Sequence, residues 1–287
     1  MSQPQQLGGG MGEDSSPLSV VRGLFVAQPP SALAGGYPDL EVLSGTALEA
    51  LYDQGFCVID AALDPAMAHC AGAEALVKER DRDGGFEDAG LVGQDARVRD
   101  DRTVFLRPER GPVGSPLLVA AADLMSAVHR DVASAVRLRH GATRPELQLA
   151  AYNSPGAHYA RHRDGFPTGG GEEEEISFQL TGQGPMWRRV TAILYLNGPW
   201  DAAADGGALR LYQPAQALPT TSTSVAQPAS SREGQQQQDD EGAMQKAEEW
   251  QDVDPIGGRL VVFLAGAVEH EVRPAYAPRV ALTAWFS

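Results

Sequence analysis

The sequence predicts an α+β protein in which N-terminal helices buttress a double-stranded β-helix (jelly-roll) core. Helical patterns occupy the first half of the chain, as far as about residue 138. Strand-length apolar runs, separated by turn sequences, occupy the second half from residue 147 onward. Helices first and strands afterwards are typical of an α+β layout in which the strands form their own packed sheets.

Three segments of the first half have the apolar spacing and end signals of helices. They cover residues 46–54, 65–82 and 116–138. Ser44 is suited to cap the first helix and Gly55 to end it, while Asp64 precedes the second. Two short strand-like runs lie between the helices, at residues 56–60 and 103–106.

The second half contains strand-length runs of β-branched, aromatic and aliphatic residues. They cover residues 147–152, 189–197, 208–212, 259–264, 269–273 and 280–286. Glycine- and proline-rich turn sequences separate them. Strands of this length and number predict the two packed sheets of a jelly roll.

We expect one domain over residues 44–287, preceded by a disordered leader at residues 1–43. The leader is rich in Gln, Gly, Ser and Pro and has little apolar periodicity. Two polar segments, at residues 169–184 and 214–254, are expected to be disordered insertions between strands. They lack a core pattern, and loop-closure entropy grows slowly with length.

Composition limits the classes of function. Hydrophobic residues make up 43% of the chain, enough for a sizeable core, and two cysteines exclude a disulfide-dense secreted scaffold. A net charge of −15 argues against a bulk nucleic-acid binder. No run approaches the roughly 18 apolar residues of a membrane span, and the polar N-terminus lacks a secretory pattern. We therefore expect no nucleic-acid or membrane partner, and a location in the cytoplasm or nucleus.

The most informative pattern consists of two histidines and one carboxylate. Asp164 follows His162 by two residues, and His270 lies in a later strand-like run. Such a set is the ligand arrangement of non-haem Fe(II) oxygenases. A His-x-Asp pair alone is weak, because it often arises by chance. Arg279, nine residues after His270, strengthens the pattern since its guanidinium suits the carboxylate of a dicarboxylate co-substrate.

Four motifs follow one another along the second half of the chain. They are YLNxxW from Tyr195, GGxLRL from Gly206, HEVxPAYxxR from His270 and LTxWF from Leu282. With GFCVID and RVRDDRTVFL upstream, they resemble the 2-oxoglutarate- and Fe(II)-dependent prolyl 4-hydroxylases, above all the cytosolic oxygen-sensing branch that includes the hypoxia-inducible-factor prolyl hydroxylases. The likeness covers residues 44–287 apart from the two insertions. Collagen-type enzymes carry lysine where Arg279 stands, which favours the cytosolic branch.

The resemblance implies an iron site and a co-substrate site. His162, Asp164 and His270 match the Fe(II) ligands, and Arg279 matches the residue that pairs with the distal carboxylate of 2-oxoglutarate. The implied reaction consumes O₂ and 2-oxoglutarate, releases succinate and CO₂, and hydroxylates C4 of a proline in a protein or peptide substrate. L-ascorbate is the expected reductant.

The resemblance also assigns four residues around the pocket. Tyr195 matches a tyrosine whose hydroxyl supports the distal carboxylate, and Thr283 is expected beside it on the last strand. Tyr152 matches a tyrosine near the metal-proximal end of the co-substrate, and Trp285 would wall the pocket close to the substrate ring. Without the resemblance, core packing explains the three aromatic residues equally well.

Residues 97–102 correspond to a mobile loop that closes over the peptide in the family, although their charge alone fits a solvated surface run. Three alternatives keep the same fold. A 2-oxoglutarate oxygenase acting on another residue or on a small molecule would keep the same triad. A nucleic-acid demethylase would show basic grooves, which this acidic chain does not indicate. A non-catalytic binding module would lose a ligand or the arginine, and all four are present.

Overall fold

The computed structural model describes residues 16–25, 41–81, 83–89, 98–106, 115–138, 144–165, 188–214 and 248–287. The helices of this part of the chain are α1 (Pro17–Arg22), α2 (Gly45–Gln54), α3 (Pro65–Arg80), α4 (Pro116–Ala135) and α5 (Ala202–Asp205). The strands are β1 (Phe56–Ile59), β2 (Glu87–Asp88), β3 (Arg102–Leu106), β4 (Glu146–Tyr152), β5 (Ala157–His162), β6 (Val190–Tyr195), β7 (Leu209–Tyr212), β8 (Trp250–Val253), β9 (Leu260–Leu264), β10 (Glu269–Ala275) and β11 (Arg279–Phe286).

The strands form two antiparallel sheets. The larger sheet has the order β1-β9-β6-β11-β4-β3-β2 and the smaller has the order β5-β10-β7-β8. Residues from both sheets line a cavity of about 1190 Å³, so the predicted site lies between them. The predicted α+β class with a jelly-roll core is confirmed.

Local signals in the sequence set the ends of the helices that flank the larger sheet. Ser44 Oγ accepts a hydrogen bond from the Ala47 amide at the start of α2, and Gly55 ends this helix with a φ of 88°. Asp64 caps α3 in the same way, through the amides of Ala66 and Met67.

Helices α2, α3 and α4 contact strands of the larger sheet and so buttress it as predicted. α3 can approach closely because Gly72 has no side chain: a Cβ there would lie 1.7 Å from the Leu196 carbonyl oxygen. Within the described residues, no helix is both long and apolar enough to cross a membrane.

Ordered structure begins before the predicted domain start. α1 lies inside the predicted disordered leader, yet Leu18 and Val21 are 2% and 1% exposed and belong to the main hydrophobic core. The Arg22 guanidinium donates to two backbone carbonyls in the last turn of α2, at 2.9 and 2.7 Å. The leader prediction is therefore wrong for residues 16–25. A six-residue helix spans less than two turns, too few for a periodic pattern to stand out.

β8 lies inside the second predicted insertion. It pairs with β7, with Val253 opposite Leu209, and Val253 is buried. The insertion prediction is therefore wrong for residues 248–254. Three of the four residues of β8 are exposed, so this edge strand carries almost no hydrophobic signal. The other predicted insertion, at residues 169–184, and residues 215–247 of this one lie outside the described residues.

Candidate active site

The register of the smaller sheet brings the predicted metal ligands together. His162 at the end of β5 pairs directly with His270 on β10. Asp164 follows two residues later; its Oδ1 lies 3.5 Å from His162 Nε2 and its Oδ2 lies 3.8 Å from His270 Nε2. One donor atom from each of the three residues lies within 4.8 Å of the others, which is close enough for one metal ion. We refer to these three residues as the triad.

β5 was absent from the predicted strands, although the triad depends on it. Three of its six residues are histidine or arginine, a composition that masks a strand pattern. Its pairing with β10 also contains register shifts between the His270 and Ala275 positions. The prediction that His162 lies near a strand end came from the turn-forming residues that follow Asp164. The residues of β5 themselves show no strand pattern.

Backbone carbonyls orient both imidazoles. His162 Nδ1 lies 2.8 Å from the Ala160 oxygen, and His270 Nδ1 lies 3.4 Å from the Val268 oxygen. A ring nitrogen that faces a carbonyl oxygen carries the proton, so Nε2 of each ring presents its lone pair. Burial lowers the pKa of His270 to about 4, with a further contribution from His162. His270 is therefore neutral near pH 7, as a metal ligand must be.

Two neutral donors hold the Asp164 carboxylate. Thr191 Oγ1 and Trp285 Nε1 both donate to its Oδ2, at 2.8 and 3.0 Å. Burial alone would raise the pKa of Asp164, but the two histidines and the Trp285 bond hold it well below its ordinary value. Asp164 is thus ionised, and its Oδ1 accepts no hydrogen bond from Thr191 or Trp285. Trp285 had been predicted only as a pocket wall, and Thr191 had no predicted role.

Arg279 provides a buried cationic group in the same cavity as the triad. It is 1% exposed, and its Nε donates to the Gly207 carbonyl at 3.0 Å. Its Nη2 and the Tyr195 hydroxyl are buried without a hydrogen-bond partner among the described residues. The Arg279 guanidinium carbon lies 5.1 Å from the Tyr195 ring centre. Buried donors left unpaired are costly, so both fit a carboxylate supplied by a ligand.

Gly207 explains why the GGxLRL motif accompanies this arginine. Its φ is +69°, a conformation that favours glycine, and a Cβ there would meet Arg279 Cδ at 3.2 Å. Trp200 Nε1 donates to the Gly206 carbonyl at 3.0 Å and fixes the adjacent residue of the same turn. The glycine pair therefore lets the backbone contact the guanidinium directly.

The remaining predicted residues occupy the neighbouring strands. Tyr152 pairs directly with Arg279, whose guanidinium carbon lies 4.8 Å from its ring centre. Thr283 lines the same cavity, but its register partner on β6 is Ile193, whereas Tyr195 pairs with Ala281. Thr283 and Tyr195 are therefore diagonal neighbours on adjacent strands. Strand alternation places Thr283 between Arg279 and Trp285 on one face of β11.

The mouth of the cavity near Trp285 is aromatic and cationic. The Arg188 guanidinium carbon lies 3.6 Å from the Trp285 ring centre, and its Nη2 donates to Glu146 at 2.6 Å. Phe105 is 41% exposed, and its ring centre lies 6.3 Å from that of Trp285. Because Arg188 lies over the Trp285 ring, the ring that this mouth exposes most is that of Phe105.

Residues 98–102 of the predicted mobile loop run beside β5. The Asp100 amide donates to the His158 carbonyl at 3.0 Å, and the Ala160 amide donates to the Val98 carbonyl at 2.7 Å. The closing motion stays a prediction. In this structure residues 98–100 are bonded to the smaller sheet, and Arg102 begins β3 of the larger sheet.

Comparison with known proteins agrees with this geometry. Residues 147–287 match the model of the 2OG-Fe(II) oxygenase superfamily. Prolyl hydroxylase EGLN3 of Mus musculus is 27% identical over 243 residues, which cover 82% of this chain and 80% of that protein. Egl nine homolog 1 of Homo sapiens is 28% identical over 238 residues, which cover 81% of this chain and 43% of that protein.

Solved structures share the fold. A prolyl-4-hydroxylase from Pseudomonas putida superposes with a TM-score of 0.53 at 24% identity, over 84% of this chain and 96% of that chain. A prolyl hydroxylase in complex with a hypoxia inducible factor peptide fragment, from Trichoplax adhaerens, superposes with a TM-score of 0.52 at 23% identity, over 84% and 86% of the two chains. With its sequence match, its double sheet and its triad, residues 147–287 form a domain of the 2OG-Fe(II) oxygenase superfamily, and the protein is a 2-oxoglutarate-dependent dioxygenase.

Proposed function

We propose that this protein hydroxylates C4 of a prolyl residue in a protein or peptide, using Fe(II), O₂ and 2-oxoglutarate. The observation that carries the proposal is that the triad and Arg279, whose Nη2 has no hydrogen-bond partner among the described residues, line one cavity between the sheets. The prolyl substrate is supported by the relatives, which are named prolyl hydroxylases. One structural neighbour is a prolyl hydroxylase in complex with a peptide fragment of hypoxia inducible factor.

The residues divide the binding between metal and co-substrate. His162, Asp164 and His270 would hold Fe(II), since two neutral imidazoles and one carboxylate suit this metal. Bound iron supplies the oxidative chemistry that couples decarboxylation of 2-oxoglutarate to insertion of oxygen into a C–H bond. Arg279 and Tyr195 would hold the distal carboxylate. Burial raises the pKa of the Tyr195 hydroxyl, which therefore remains protonated and able to donate.

Anchoring the distal carboxylate orients the co-substrate. With one end held by Arg279, the keto-acid end of 2-oxoglutarate would be directed toward the triad, because Arg279 and the triad line the same cavity. Tyr152 lines the same cavity and its ring contacts the Arg279 guanidinium, so it would help to exclude water beside the co-substrate. Burial also raises the pKa of its hydroxyl, so Tyr152 stays neutral beside the co-substrate.

The aromatic residues at the mouth of the cavity support a prolyl substrate. A pyrrolidine ring is small and apolar, and it packs favourably on an aromatic face. Trp285 and the exposed Phe105 both line the cavity, and Trp285 also bonds the Asp164 carboxylate, so a ring held against these side chains would lie next to the triad.

The proposal is tested with a panel of proline-containing peptides whose proline carries two deuterium atoms at C4. Purified protein is supplied with Fe(II), 2-oxoglutarate and ascorbate, the proposed reductant, and products are read by mass spectrometry. We expect one deuterium of an accepted peptide to be replaced by hydroxyl, with one succinate formed per hydroxylation. His162→Ala, Asp164→Ala and His270→Ala are each expected to abolish Fe(II) binding and turnover.

Two outcomes would contradict different parts of the proposal. Near-normal activity in any of the three triad variants would show that the triad is not the metal site. The wild type could instead form succinate, oxidise an added small molecule and oxidise no peptide. That result would contradict the prolyl substrate but would support the oxygenase chemistry.

A further inference from the structure

His162 is the less enclosed of the two triad histidines. It ends β5, which is one of the two edge strands of the smaller sheet, and its side chain is 19% exposed against 4% for His270. The His270 ring packs against Phe263, with ring centres 4.6 Å apart. The orientation of the His162 ring therefore depends strongly on what covers its open side.

Tyr159 covers that side. Its ring centre lies 3.7 Å from that of His162, and the two planes are inclined by 22°, so the rings are stacked. The guanidinium carbon of Arg99 lies 4.4 Å from the centre of the same Tyr159 ring. Two planar groups cannot share one face of a ring at these distances. The Tyr159 ring is therefore held between a cation and the imidazole.

Hydrogen bonds to two side chains hold the guanidinium of Arg99 in place. Its Nε and Nη2 donate to the two carboxylate oxygens of Asp101, at 2.5 and 3.0 Å, and Nη2 also donates to Gln148 Oε1 at 3.2 Å. The Asp101 side chain is fully buried, and Gln148 lies on β4 of the larger sheet. The backbone of Arg99 pairs with Tyr159 on the smaller sheet. This arginine thus joins both sheets at the metal site.

We propose that Arg99 is a positioning residue for the metal site and acts on His162 through the ring of Tyr159. With Arg99 in place, Tyr159 lies flat on the imidazole and keeps Nε2 directed at the space shared with Asp164. Without it, the Tyr159 ring and the His162 ring gain freedom, and metal affinity falls. The proposal rests on the proposed function in one respect, namely that the triad binds the metal.

The test measures Mn(II) affinity of the metal-free full chain, from the electron paramagnetic resonance signal of free Mn(II) during titration. Tyr159→Leu removes the stack and leaves the Arg99–Asp101 pair intact. The double variant Arg99→Met/Asp101→Asn removes the cation without leaving a buried carboxylate unpaired. We expect each to bind Mn(II) about 5- to 30-fold more weakly than wild type.

The chain provides a matched control on β7 and β8. Arg210 forms a two-point pair with Asp252, at 2.7 and 2.8 Å, and lies 4.8 Å from the Trp250 ring centre, but none of these residues lines the cavity. Arg210→Met/Asp252→Asn is therefore expected to bind Mn(II) as wild type does. Tyr159→Phe keeps the ring and is also expected to retain wild-type affinity.

The outcomes separate this inference from the proposed function. Failure of the wild type to bind Mn(II) or Fe(II) would remove the metal site itself. Wild-type binding with unchanged affinity in natively folded Tyr159→Leu would overturn the positioning role. Equal weakening in Tyr159→Phe and Tyr159→Leu would also overturn it, because the hydroxyl rather than the stack would then be responsible. Folding of each variant is checked by circular dichroism and thermal unfolding.

Discussion

At the residue scale, the site combines a few charged groups with neutral donors that fix them. Asp164 is the carboxylate of the triad, and Thr191 and Trp285 together occupy its Oδ2. Arg279 is fixed by a backbone carbonyl, and no carboxylate among the described residues forms an ion pair with it. A buried cation arranged in this way favours an anionic ligand.

Replacing Arg279 tests this arrangement. Arg279→Ala should raise the KM for 2-oxoglutarate by roughly 30- to 1000-fold, or about 2–4 kcal/mol, because a charge-assisted two-point contact is lost in a dry pocket. Arg279→Lys should give an intermediate KM, since an ammonium keeps the charge but lacks the paired N–H donors of a guanidinium. Fe(II) affinity should persist in both. Steady-state kinetics with varied 2-oxoglutarate gives the values.

The control for this prediction lies nearby on β10. Arg273 is an exposed arginine whose Nη1 bonds Glu271 at 2.9 Å, and Arg273→Ala should leave the KM unchanged. A normal KM in Arg279→Ala would show that the guanidinium has a structural role instead.

The sequence predicted the metal ligands and the carboxylate-binding arginine, because few other functions require this combination of residue types. It did not predict the residues that hold these groups in place. A His-x-Asp pair, a later histidine and a spaced arginine form a pattern that few other functions require. Threonine and tyrosine are common in strands for packing reasons alone. Nothing in the types of Thr191 or Tyr159 distinguishes them from core residues. Their roles depend on which strands become neighbours.

At the element scale, strongly patterned segments were predicted and short ones were not. α2, α3 and α4 have caps and lengths that the sequence makes visible, and their observed ends lie within three residues of the predicted ones. α1, β5 and β8 are short, polar or both, and tertiary pairing rather than local propensity sets them. β5 matters most, because it carries His162.

The docking of α1 can be tested by substitution. Leu18→Ala should lower the free energy of unfolding by about 2–4 kcal/mol, because it removes a buried side chain from the main core. Ser19→Ala, on the same helix but half-buried, should change it little. Urea unfolding followed by circular dichroism measures both. Equal stability of the two variants would mean that α1 does not contribute to the core in solution.

At the scale of the whole molecule, the two sheets hold different parts of the site. The smaller sheet carries both histidines, while the larger carries Arg279, Tyr195 and the donors to Asp164. Metal and co-substrate are therefore brought together only when the sheets pack against each other. The sequence indicated a jelly roll, but it could not show this division, which follows from strand order.

Packing the triad between two sheets also makes the metal-free protein sensitive to acid. Burial lowers the pKa of His270 from the ordinary 6.5 to about 4. Between these values the unfolded chain binds a proton that the folded chain does not, so stability falls as the pH is lowered from 6.5 toward 4. The expected loss is about 3 kcal/mol. Asp164, whose pKa is held low, adds a loss in the same direction at still lower pH.

The urea midpoint of metal-free protein should therefore decrease steadily over this pH range. In His270→Gln, which cannot take up the proton, the decrease should be clearly smaller. A residual slope is expected, because burial also lowers the pKa of His129, which that variant retains. Parallel curves for wild type and His270→Gln would show that the imidazole is protonated in the folded state without cost. Excess Mn(II) should flatten the wild-type curve near pH 6.5, because a metal ligated by neutral His270 opposes its protonation.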